Sequence, residues 1–123
     1  MLGFKKKRQK ALLIKAKDVF SIIKSDYDND MEFCLIEFIC NNNTYTMGSP
    51  AIPDRKKGKE NIFFIFNDEK YCTYEDFANN VIIDGFRLAD SDIIIEITRA
   101  GIIDGEEMIT PWGDTRLKKH ALS

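Results

Sequence analysis

Apolar residues fall in short runs along this chain, and the spacing inside each run separates strands from helices. Residues 33–40 read Phe-Cys-Leu-Ile-Glu-Phe-Ile-Cys. Seven of the eight are apolar or cysteine, and the aromatic and β-branched side chains among them suit a pleated surface. Alternate side chains of a strand point to opposite faces. Phe33, Leu35, Glu37 and Ile39 therefore share one face, and Cys34, Ile36, Phe38 and Cys40 share the other. Both faces are apolar except at Glu37. This predicts a strand inside a sheet covered, at least in part, on both sides, with Glu37 reaching solvent, a cation or a proton.

Residues 9–24 follow a different period. Leu12, Leu13, Ala16, Val19, Phe20 and Ile23 recur at steps of three and four and form one apolar stripe, while Lys10, Lys15, Lys17, Asp18 and Ser21 fall largely off it. The spacing predicts a helix packed on the sheet. An extended reading of residues 11–23 also exists, because Val, Ile and Phe recur there.

Turn residues punctuate the rest. Asn41-Asn42-Asn43 predicts a hairpin turn, with residues 44–47 as the returning strand. Residues 48–61 hold Pro50, Pro53, Gly58 and the basic cluster Arg55-Lys56-Lys57-Lys59, and predict a long loop. Residues 62–66 (Ile-Phe-Phe-Ile-Phe) predict a strand, and 70–72 a short return. Thr73 has the character of a helix N-cap, with Glu75 and Asp76 favourable in the first turn of a short helix to Asn80. Residues 93–98 predict another strand, and 108–110 a last short one stopped by Pro111. Ile-Ile-Asp-Gly occurs at 82–85 and again at 102–105. The flanking residues differ, so this predicts two strand ends sharing a turn chemistry rather than a repeat. Residues 115–123 predict a frayed or short helical tail.

Together these elements predict one α+β domain over residues 1–123. An N-terminal helix packs on a curved antiparallel sheet of about five or six strands, with a short helix inserted near 73–80. Two domains from 123 residues would each be too small to hold a core. No apolar run approaches the roughly 20 residues that span a bilayer. The basic start is followed by too short an apolar stretch, broken at Lys15, for a secretory signal. Three cysteines without framework spacing suit reduced thiols in a cytoplasmic protein.

Net charge is −2, unevenly spread. Residues 1–24 carry eight Lys or Arg against one acid, giving +7, and residues 25–123 carry ten against nineteen, giving −9. A basic head, its first eight residues expected to be flexible, therefore precedes an acidic body. An acidic body argues against nucleic acid as the partner.

Candidate chemistry is sparse. Asp26, Asp28, Asp30 and Glu37 reproduce the carboxylate spacing of a calcium loop, where short acids at alternate positions and a distant Glu converge on one ion. Met31 stands where that loop needs Gly, and a strand follows where it needs a helix. Cys34, Cys40 and Cys72 lack zinc spacing. His120, the only histidine, sits in the tail, and the glycines form no phosphate loop. No cofactor and no catalytic residue is expected. The composition favours a non-catalytic protein-binding domain, of the toxin-neutralising immunity type, meeting a basic partner through an acidic surface. Asp84, Asp90, Asp104, Glu106 and Glu107 near the turns, with Trp112 as an apolar anchor, are the candidate contact residues. A small-ligand or enzymatic pocket between helix and sheet is the alternative.

Overall fold

One ten-residue strand organises the molecule. In the computed structural model, which describes residues 11–52 and 54–122, the chain runs β1 (Leu12–Lys15), α1 (Ala16–Asp28), β2 (Leu35–Cys40), β3 (Asn43–Gly48), β4 (Phe64–Phe66), β5 (Glu69–Tyr71) and α2 (Tyr74–Asn80). It continues through β6 (Ile82–Ile83), β7 (Phe86–Arg87), β8 (Ile94–Ile103), β9 (Glu106–Ile109) and α3 (Thr115–His120). β8 pairs antiparallel with β2 along one edge. Its other edge takes β1 at Ile94–Ile97 and β9 at Ala100–Ile103. The sheet order is β1-β8-β2-β3-β4-β5 with β9 added to β8, and β6–β7 form a separate hairpin.

The α+β architecture is as the sequence predicts, but the N-terminal helix is shorter at its start and longer at its end. Residues 12–15 are extended: Leu12 and Ile14 alternate into the core while Leu13 and Lys15 are half-buried. Leu12 and Ile14 stand opposite Ile97 and Ile95. The helix then begins at Ala16 without a side-chain cap. Its first free N–H groups instead donate to the carbonyls of Ile93 (2.9 Å) and Ser91 (3.1 Å), which satisfies donors that a helix start otherwise leaves orphaned. At its far end the polar segment after Ser25 continues the helix to Asp28. The tail forms α3, where Asp114 caps the helix by accepting from the N–H groups of Arg116 and Leu117.

The sheet has one core face. Ile36, Phe38, Cys40, Met47, Phe64, Ile95 and Ile97 join Phe20 and Ile23 of α1, Phe77 of α2 and Leu117 of α3 in a single buried cluster. Phe77 stacks between Phe20 (5.3 Å between centroids) and Phe64 (4.8 Å). Such pairs add about 0.5–1.5 kcal/mol each beyond the area they bury. Leu35, Glu37 and Ile39 of β2 alternate onto the opposite face and are half-buried. β2 is thus central, as expected, but its second face lies outside the helix-packed core.

Both Ile-Ile-Asp-Gly segments close two-residue hairpins, β6–β7 and β8–β9. Asp84 (φ 54°) and Gly85 (φ 83°), like Asp104 (φ 53°) and Gly105 (φ 81°), lie in the left-handed region. Two successive positive φ values match the twist of the flanking strands, which is why Asp-Gly suits this turn. Asn41 and Asn42 do the same between β2 and β3. The long basic loop is anchored by Arg55, whose guanidinium meets Glu32 (3.2 Å) and donates to carbonyls at Asp30, Lys56 and Gly58.

Candidate functional site

Asp104, Glu106 and Glu107 come together on the β8–β9 hairpin. All four residues of β9, Glu106 to Ile109, are exposed, and Met108 is 64% exposed. β9 pairs only with β8, so among the described residues its outer edge has no partner strand. Glu107 is partly engaged: its carboxylate accepts from the Ala100 N–H at 3.0 Å. Arg99 donates to the Gly105 carbonyl at 2.8 Å and steadies the turn. Gly101 (φ 55°) lets the strands approach here, because a Cβ at that position would stand 2.5 Å from Ile109 Cγ2.

The other candidate residues sit on different elements. Asp84 occupies the β6–β7 turn and accepts from the Asn41 side chain. Asp90 ends a short helical turn at Leu88–Asp90 and pairs with Arg87 at 2.7 Å. Trp112 is half-buried against the core.

The calcium-spaced acids go to separate partners. Asp26 faces Arg116. Asp28 pairs with Lys24 (3.0 Å) and Lys59 (3.6 Å), and hydrogen bonding from Lys24 holds its carboxyl below the usual range. Asp30 adopts φ 61° as the chain leaves the helix. Glu37 lies on the sheet face outside the core, opposite Thr46 and Arg99, and accepts from the Thr98 hydroxyl at 3.2 Å. Among the described residues no three His, Cys, Asp or Glu side chains gather closely enough to hold a metal ion. No helix among them is long and apolar enough to cross a membrane.

A second polar centre was not legible as a site in the sequence. Asp26 is 5% exposed and is bound by Arg116 from α3, while its second carboxylate oxygen is buried without a partner. Burial pushes the Asp26 carboxyl above the usual carboxylate range, against the lowering effect of Arg116. Arg116 lines two shallow grooves. One, about 260 Å³, lies between α1 and α3. The other, about 180 Å³, is walled by Phe33, Cys34, Ile36 and Ile109 with Glu32 and Asp114. Both are smaller than the roughly 300–1,000 Å³ of a drug-sized ligand pocket. The one local signal was Asp114 ahead of Thr-Arg-Leu, an N-cap pattern just before the tail expected to be frayed or a short helix.

No protein family, curated protein or solved structure matches the chain.

Proposed function

We propose that this chain is a non-catalytic protein-binding domain that meets a basic partner through the β8–β9 hairpin. The observation that carries this reading is the exposed strand β9. It bears Glu106, Glu107 and Met108 beside Asp104 at the turn, with one edge free of any described strand. Acidic side chains steer a basic partner and set its register, and an exposed Met supplies adaptable apolar contact. A free edge adds main-chain hydrogen bonds to an extended segment of the partner. A toxin-neutralising inhibitor of the immunity type is the form of this function that suits an acidic body. Three free cysteines, Cys34, Cys40 and Cys72, suit a reducing compartment such as the cytoplasm.

The test compares wild type with the double variant Glu106→Lys/Met108→Ser as bait in native lysate, using quantitative crosslinking. The expected result is one stoichiometric partner of basic net charge, captured by wild type and lost with the variant. Recovery of no stoichiometric partner, or equal capture by both baits, overturns the proposal.

A further inference from the structure

The groove between α1 and α3 differs in charge from the body around it. We infer that it is a binding site for the phosphoryl group of a small phosphate monoester. This is independent of the acidic hairpin. The groove is lined by Ser21, Ile22, Ser25, Arg116, Lys119 and His120. None of the six is acidic, although the chain carries 20 acids against 18 Lys and Arg.

The lining follows from helical spacing. Arg116, Lys119 and His120 stand at i, i+3 and i+4 and share one face of α3, while Ser21 and Ser25 stand at i and i+4 on α1. Ser21 and Ser25 thus line the wall opposite Arg116, Lys119 and His120, and the Ser21 hydroxyl, which donates to the Lys17 carbonyl at 3.2 Å, turns only its lone pairs outward. Basic residues in the last turn of a helix commonly complement its dipole, which accounts for Lys119 and His120 alone. It does not account for Arg116 in the first turn, nor for the serine pair on the other helix.

Arg116 is pre-oriented from outside the groove. Its Nη1 donates to buried Asp26, and its Nε lies 3.7 Å from Asp114. Neither acid lines this groove. The planar guanidinium keeps further N–H donors beyond those two contacts, and its fixed fork suits an oxyanion. Because Arg116 is held already, a ligand costs little side-chain ordering there.

The donor set favours phosphate over carboxylate. Even with the Ser21 hydroxyl committed to the Lys17 carbonyl, the guanidinium, ammonium, imidazole and Ser25 groups outnumber the two oxygens of a carboxylate, whereas a phosphoryl group presents three terminal oxygens and up to two charges. The volume, about 260 Å³, is close to nine water volumes at roughly 30 Å³ each. That holds a phosphoryl group and part of a small organic substituent, with Ile22 as the apolar contact.

The experiment is an NMR titration of the full chain with phenyl phosphate, inorganic phosphate and acetate, against KCl at matched ionic strength. Saturable shifts at Ser21, Ser25 and His120 are expected with phenyl phosphate, with Kd below about 1 mM. Inorganic phosphate should bind more weakly and acetate more weakly still. Lys119→Ala and His120→Ala remove exposed side chains and leave the fold intact. Each should weaken binding about tenfold, the loss of roughly one charged hydrogen bond. Shifts that do not saturate, shifts reproduced by KCl, equal affinity for acetate, or unchanged Kd in both variants would each overturn the assignment. Inorganic phosphate binding as tightly as phenyl phosphate assigns the site to the free ion and overturns the monoester.

Discussion

Arg116 in the last helix donates to Asp26 in the first, across 90 positions of sequence, and leaves one oxygen of that carboxylate buried and unpartnered. A buried charge satisfied on one side only is costly to leave alone. Arg116→Met should therefore destabilise the fold by about 2–3 kcal/mol, below the roughly 3–5 kcal/mol of breaking a fully buried pair, since the Arg116 side chain is itself 46% exposed. Asp26→Asn should cost less. The pH dependence has a definite sign. Burial raises the Asp26 pKa in the folded state, so the folded chain holds that proton more tightly than the unfolded chain. Stability from this group grows as pH falls through the folded pKa. It is fully present below the ordinary carboxylate value of about 3.9. Thermal melts of wild type and Asp26→Asn between pH 7 and 4 should show wild type gaining on the variant as pH falls. A gap that stays constant would refute this.

Two glycines with positive φ should behave differently. At Gly48 (φ 131°) an added Cβ stands 2.9 Å from the Phe33 carbonyl oxygen and 3.0 Å from that of Cys34. These are backbone atoms and cannot swing aside. At Gly85 (φ 83°) nothing lies within 4 Å. Gly48→Ala should lose about 3 kcal/mol or more, and Gly85→Ala about 1 kcal/mol from backbone strain alone. Urea unfolding of both variants measures the difference.

Glu37 is the polar exception in an apolar strand. It is half-buried on the sheet face outside the core and takes one hydroxyl hydrogen bond from Thr98. A glutamine carbonyl accepts the same bond. Glu37→Gln should change stability by less than about 1 kcal/mol. A loss above about 3 kcal/mol would show instead a buried, paired carboxylate.

Thiol chemistry should single out one cysteine. Cys72 is exposed, Cys34 is half-buried and Cys40 is buried. Burial pushes the thiols of Cys34 and Cys40 up, with Glu32 adding to the effect at Cys34 and Asp84 at Cys40. Thiolate is the reactive form. An aromatic disulfide reagent should release one equivalent rapidly from native protein and three after unfolding. Mass mapping should place the first on Cys72.

The sequence revealed whatever depends on neighbours. The β2–β3 hairpin shows in its Asn turn, α2 in its Thr73 cap, which accepts from Asp76 at 3.0 Å, and the two small hairpins in their Asp-Gly turns. It concealed whatever depends on distant partners. Leu12–Lys15 and Ala16–Asp28 share a helical stripe by spacing, yet Leu12 and Ile14 become a strand because Ile95 and Ile97 lie opposite them. The start of α1 shows no capping residue, since Ile93 and Ser91 accept its first N–H groups. The acids near the turns look alike in sequence. In the fold, Asp84 and Asp90 are bonded to Asn41 and Arg87, and Asp104, Glu106 and Glu107 alone share one exposed hairpin.

The placement of β8 imposes an order on synthesis. β2 and β3 close on each other within a few residues, but Leu12 waits for Ile97, 85 positions later. At about 5–20 residues per second, the first strand leaves the ribosome roughly 4–17 seconds before its partner does. Throughout that interval Leu12 and Ile14, buried in the finished fold, are exposed to water and to other nascent chains. The need to keep this segment unpaired until β8 emerges is therefore a property of the strand order itself.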